Sequence, residues 1–236
     1  MRIHVLVEGP AEEAWIADWA RRLIPGHKVR VYPHQGKGRL LTNEQPDKAQ
    51  RGVLDLLRAT LRGWANTFNP DTDRILVLVD RDEDDASELR QRMLAVHEEI
   101  SPTRPAAFQV AVMESEAFFL GDRRALKLAW PGADLKLLDS TKPDEDWRWE
   151  LFSKVIKTSG QNKPAWARAI APHLGTQLSG PDANRSPSFR SFAAALLQLC
   201  GEVVPASMTT EPAEGNLRVR AVRQPPRKER AARAPK

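Results

Sequence analysis

The chain has 236 residues, 41% of them hydrophobic and 28% charged, enough for one sizeable α/β domain with an appendage. No apolar run approaches a membrane span, the start MRIHVLVEGP leaves no room for a signal-peptide core, and the lone Cys200 excludes a disulfide framework or a cysteine-rich metal site. A soluble cytoplasmic protein is expected.

The net charge of +5 is unevenly spread. Residues 217–236 hold eight Lys/Arg and one acid, Glu229, so residues 1–216 carry 28 basic and 30 acidic side chains. The basic excess belongs to a tail, and the body is close to neutral.

In chain order, Arg2 to Val7 reads as a strand ending at Glu8-Gly9-Pro10. Pro10 opens a helix on which Trp15, Ile16, Trp19, Leu23 and Ile24 recur at helical spacing. Lys28 to Tyr32 is a second strand, followed by the polar loop His34 to Arg39. Asp47 is placed to cap a helix carrying Val53, Leu54, Leu57, Leu61 and Trp64. Ile75 to Val79 has the continuous aliphatic character of a strand buried on both faces, and it ends at Asp80. A helix over 85–99 follows, then a strand from Phe108 to Met113 that runs into Glu114.

This β-α-β-α-β-α-β pattern predicts an α/β fold with a mostly parallel four-stranded sheet flanked by helices. The α/β unit spans 1–125. A helical extension over 126–203 packs on it, with helices expected over 122–129, 144–157, 163–174 and 188–199. The segment 204–236 has the composition of a disordered basic tail.

Three of the four strands end in carboxylates, Glu8, Asp80 and Glu114, and in open parallel sheets ligands bind beyond the carboxyl ends of the strands. Asp80 and Asp82, two residues apart in one loop, offer hard oxygen ligands of the kind Mg²⁺ and Mn²⁺ take. The plainer reading is an acidic turn at a helix N-terminus. Glu8 faces the same crevice, and Glu12 lies one helical turn beyond it. A capping glutamate explains one such acid better than it explains four.

The loop His34-Gln35-Gly36-Lys37-Gly38-Arg39 is not a Walker A sequence, since Gly38 follows Lys37. Its glycines allow close approach to a phosphate, with Lys37 and Arg39 as partners and His34 as a proton donor; a plain connector is the alternative. Trp15, Trp19 and Trp64 fall on apolar helix faces and read as core, whereas Trp147 and Trp149 flank Arg148 as a candidate partner surface. Cys200 has no paired histidine motif and no catalytic role is assigned to it.

Taken together, Val7-Glu8-Gly9-Pro10-Ala11-Glu12, the loop from Pro33 to Gly38 and Val79-Asp80-Arg81-Asp82 resemble the TOPRIM domain of topoisomerases, primases and overcoming-lysogenization-defect (OLD) nucleases. With Met113 to Asp122 and Ser186 to Phe192 added, the chain looks more specifically like the TOPRIM-like proteins catalogued as domain of unknown function 4276, over about residues 3–200. The acidic-aromatic motif of that family is altered here, with Ala117 and Phe118 after the acid.

The resemblance implies a TOPRIM/Rossmann-like fold and divalent-metal nuclease chemistry on DNA, or alternatively RNA. It also implies a role in defence against mobile DNA, often beside an ATPase partner. On that basis Glu8 is the general base or a metal ligand, and Asp80 and Asp82 hold the catalytic ion. Glu12 serves a second ion, and Glu114 and Glu116 complete a set sufficient for two Mg²⁺ or Mn²⁺ ions. Lys163, after Ser159-Gly160-Gln161-Asn162, is the candidate cation for transition-state charge, with an exposed lysine as the plain alternative.

Two other classes stand beside the nuclease. A non-catalytic module binding an ATPase or nucleic acid would keep the acids without using them. A haloacid-dehalogenase-like phosphatase also carries Asp-x-Asp, but on its first strand and followed by Thr or Val, whereas Glu83 follows Asp82 here.

Overall fold

A computed structural model describes residues 1–41, 50–112 and 114–206. Asp47, Met113 and the basic tail from 207 onward, including 217–236, therefore lie outside the described residues. The fold is α/β. Strands β1 (Arg2–Val7), β2 (Lys28–Pro33), β3 (Asp73–Asp80) and β4 (Ala106–Ala111) form an all-parallel sheet in the order β2-β1-β3-β4. Helices α1 (Pro10–Leu23), α2 (Val53–Thr67) and α3 (Ala86–Ile100) make the crossovers, and a helical C-terminal part follows.

Strands β1, β3 and β4 are buried on both faces, as the aliphatic run in β3 predicts, whereas β2 at the sheet edge is exposed or half-buried throughout. Alternate residues serve two cores. Leu6, Ile75, Val77, Val79 and Phe108 pack under α2 and α3. Ile3, Val5, Val7, Leu76 and Leu78 face α1 and the C-terminal helices. These later helices are α4 (Ala117–Leu120), α5 (Arg123–Ala129), α6 (Trp149–Val155), α7 (Lys163–Ile170) and α8 (Pro187–Cys200). Trp15 and Trp19 of α1 are fully buried against Phe189 and Phe192 of α8. Among the described residues, no helix is long and apolar enough to cross a membrane.

Several boundaries differ from expectation. The fourth strand stops at Ala111, because the N–H of Val112 donates to Ser188 Oγ (3.1 Å) instead of extending the ladder. Glu114 thus lies in a turn beyond the strand. The helix expected over 144–157 begins at Trp149. Asp144 takes a left-handed backbone (φ 65°) and its carboxylate accepts from Ser186 Oγ and the Ser188 N–H (2.6 and 2.7 Å), fastening this loop to α8. The helix expected over 163–174 ends at Ile170 and passes into a 3-10 turn over Ala171–His173. Trp147 is not a partner surface. It is 1% exposed, and its indole N–H donates to Thr141 Oγ1 (2.9 Å).

Candidate functional site

The chain runs from β1 outward to β2 and then returns past β1 to β3, so strand order reverses between β1 and β3. Such a switch point leaves a crevice at the carboxyl ends of the two strands. Glu8 immediately follows β1, and Asp80 is the last residue of β3. Glu8 Oε1 accepts a hydrogen bond from the Asp80 N–H at 2.7 Å, joining the two strand ends.

Three more acids and a lysine approach from the α1 side. Glu12, buried in the first turn of α1, accepts from Ser115 Oγ at 2.6 Å. Glu116, also buried, accepts from Lys163 Nζ at 3.0 Å. Glu114 Oε2 lies 3.5 Å from the same ammonium and accepts from the Trp149 N–H (3.0 Å), which caps the start of α6. Lys163 is set by the Asn162 side chain, which caps α7 by accepting from the Ala165 N–H, and it is an internal ion-pair partner rather than an exposed lysine.

The electrostatics are those of carboxylates crowded out of water. Burial, reinforced by the charges of Asp82 and Glu12, raises Glu8 to about 7 despite the Asp80 N–H and Lys37. Asp80 is raised well above the usual carboxylate range by burial and by the charges of Glu8, Glu12 and Glu116, with Lys163 opposing. Burial likewise lifts Glu116 to about 7 although Lys163 works against it. For Lys163, burial favours the neutral amine, but Glu116, Glu114 and Asp80 outweigh that and hold the ammonium charged.

Asp82 stands apart from this group. It is exposed, adopts a left-handed backbone (φ 49°), and pairs with Lys37 Nζ at 2.7 Å. Lys37 also reaches Asp84 Oδ2 (2.9 Å) and the Arg81 carbonyl (2.9 Å). The loop bearing Lys37 is tied down at both ends. Gly36 N–H donates to the Glu8 carbonyl (2.8 Å), and Leu54 N–H of α2 donates to the Lys37 carbonyl (2.8 Å). Asp55 fixes the bend by accepting from the Gly52 and Arg39 N–H groups (both 2.9 Å). A Cβ at Gly52 would stand 2.4 Å from the Gly38 backbone nitrogen, so glycine is required there.

The residues expected to bind nucleic acid divide accordingly. Lys37 is engaged with Asp82 and Asp84; Arg39 is exposed; and His34 Nδ1 lies 3.1 and 3.0 Å from the Val7 and Tyr32 carbonyl oxygens, which fixes its ring beside the end of β1. Ser115, Asp84 and Asp55 emerge as positioning residues that sequence reasoning missed. Ser115 was signalled only by lying between Glu114 and Glu116.

The donor set of Glu8, Glu12, Asp80 and Glu116 has the chemistry that Mg²⁺ or Mn²⁺ requires, and the raised proton affinities of Glu8, Asp80 and Glu116 are those of acids short of positive charge. Among the described residues, however, no three His, Cys, Asp or Glu side chains stand close enough together to grip an ion. No family model matches the chain, and neither a curated protein nor a solved structure matches it.

Proposed function

We propose that this protein is a divalent-metal-dependent phosphodiesterase acting on nucleic acid, with DNA as the first substrate to test and RNA as the alternative. The carrying observation is the meeting of Glu8 and Asp80 across the switch point of the sheet, with Glu12 and Glu116 near enough to raise Asp80 further.

A bound Mg²⁺ or Mn²⁺ supplies Lewis-acid polarisation of a phosphate oxygen and a more acidic water. Asp80 would hold it, with Glu12 and Glu116, whose charges act on Asp80, as further donors. Glu8, near 7, gains and loses a proton around neutral pH, which suits a general base. Lys163 stays charged beside Glu116 and can offset negative charge developing on the phosphate. Asp82, exposed on its turn, is the remaining candidate ligand for a second ion.

The test is cleavage of supercoiled, linear and single-stranded substrates with Mg²⁺ or Mn²⁺, and with the metal chelated. Glu8→Gln and Asp80→Asn each lower the rate by about 10²–10⁴-fold if their groups take part in proton transfer and charge stabilisation. Wild-type rates in both variants would remove the site from consideration.

A second reading is favoured by two observations: both lysines of the site are already paired with its acids, and no ready ion grip exists among the described residues. On this reading the domain is a non-catalytic module that binds an ATPase or nucleic acid. Partner binding with no metal-dependent cutting of any substrate selects it. Release of phosphate from small monoesters without nucleic-acid cutting points instead to a phosphatase.

A further inference from the structure

Lys37 is the feature that the proposed chemistry leaves unused. Its ammonium has three protons, and three acceptors surround it: Asp82 Oδ2, Asp84 Oδ2 and the Arg81 carbonyl, at 2.7, 2.9 and 2.9 Å. Its side chain is only 12% exposed, whereas that of Asp82 is 55% exposed. Lys37 comes from the loop after β2 and its partners from the loop after β3, so the contact spans the mouth of the crevice above β1. Asp82 is near enough to the centre for its charge to raise Glu8, and Lys37 near enough to lower it.

We propose that Lys37 is a tethered counterion for Asp82 and Asp84 in the free protein, competing with a divalent cation for Asp82 and exchanging onto a substrate phosphate when Asp82 turns to the ion. The inference rests on the metal-dependent reading above and adds an order of events to it. With Lys37 in place, Oδ2 of Asp82 is committed to the ammonium. When Asp82 leaves, Lys37 loses one of two carboxylate partners while remaining on a loop anchored to the Glu8 carbonyl and to α2. A phosphate oxygen arriving beside the ion is the natural replacement acceptor. Cation binding and phosphate binding then favour one another.

A purely structural clasp makes the opposite prediction for the cation, because deleting it would loosen the site. The experiment measures Mn²⁺ binding to the full chain by calorimetry. Lys37→Met removes a positive charge next to the ion and frees Asp82, so Mn²⁺ binds about tenfold tighter. Adding Asp82→Asn abolishes that gain.

A second measurement needs no variant. Acylation of Lys37 in the wild-type protein by an amine-reactive ester, read by mass spectrometry of its peptide, is slow in the free protein and about threefold or more faster at saturating Mn²⁺. Should Lys37→Met fail to fold, the acylation rate decides alone. Unchanged or weaker Mn²⁺ binding in Lys37→Met, or an acylation rate indifferent to Mn²⁺, overturns the competition. If Asp80→Asn still weakens Mn²⁺ binding in that case, the metal-dependent reading survives. Mn²⁺ binding unaffected by both Glu8→Gln and Asp80→Asn removes that reading and the Lys37 inference with it.

Discussion

The Glu8 carboxylate accepts a hydrogen bond from the backbone N–H of Asp80, 2.7 Å away, across the two strands where the order of the sheet reverses. This bond holds one acid beside another in a place where both resist ionisation. The arrangement costs stability, and the cost depends on pH.

For Glu8 the sign follows from its folded value of about 7 against an ordinary 4.5. Between these values the folded chain holds more protons than the unfolded chain, so stability falls as pH rises, and the penalty is complete above about 7. Glu8→Gln keeps an oxygen for the Asp80 N–H and removes the titration. Without divalent metal, the variant melts close to wild type at pH 5. By pH 8 it is more stable by about 2 kcal/mol. Parallel melting curves at both pH values would contradict the assignment.

Lys163 makes a complementary prediction. Its side chain is 28% exposed and pairs with Glu116, which is 1% exposed. Lys163→Met leaves Glu116 buried against Glu114 and Asp80 without a cation, and destabilises the chain at pH 8 by about 1–3 kcal/mol. Adding Glu116→Gln restores most of that loss. A double variant no more stable than Lys163→Met would show that the ion pair is not the cause. Chemical denaturation of the two variants gives the answer.

Gly38 of the Lys37 loop and Gly52, which precedes α2, separate by what their side chains would strike. A Cβ at Gly52 meets the Gly38 backbone at 2.4 Å, whereas one at Gly38 meets the Asp55 carboxylate, with a left-handed φ of 69° as an added strain. Both alanine variants lose stability, by about 1–3 kcal/mol each. Gly52→Ala also shifts the loop carrying Lys37. The expected signature is faster acylation of Lys37 in Gly52→Ala than in wild type without metal.

Asp73, at the opposite end of β3, serves as a control for fold against site. It is buried and accepts from Arg2 (2.6 Å), from the Asn69 N–H (2.9 Å) and from His4 Nε2 (3.2 Å). Burial works to raise its pKa, but these bonds outweigh burial and lower it. Its contribution is therefore present above the usual aspartate range and lost as pH falls through the folded value. Asp73→Asn costs about 1–3 kcal/mol at pH 7 and leaves Mn²⁺ affinity unchanged. An altered affinity would mean the two ends of the sheet are coupled.

What the sequence discloses is what local periodicity encodes. The aliphatic run ending at Asp80 and the alternation ending at Glu8 place two acids at strand ends, and the order of helices and strands leads to parallel pairing. The partners of Lys37 are not local. Asp84 reads as one more acid in a turn, and only the fold brings the loop after β2 over the loop after β3. Asp82 belongs by spacing with Asp80, yet its left-handed backbone leaves it paired with Lys37. The early end of β4 and the late start of α6 have the same origin. Ser188 takes the Val112 N–H, and Glu114 takes the Trp149 N–H, each from a distant segment.

Helix α1 links the crevice to the far end of the chain. Its first turn carries Glu12, and its later turns are fastened to the segment after α7. The Trp19 indole donates to the Gly175 carbonyl at 2.9 Å, and Arg22 donates to the Leu174 and Ala171 carbonyls at 2.7 and 2.5 Å. Glu12 is thus held like the short arm of a lever whose long arm lies among residues more than 150 positions downstream. A change in how the last helices seat is transmitted to Glu12 through a rigid rod, while Asp82, out on its turn, is spared. The two flanks of the crevice are thereby open to adjustment one at a time.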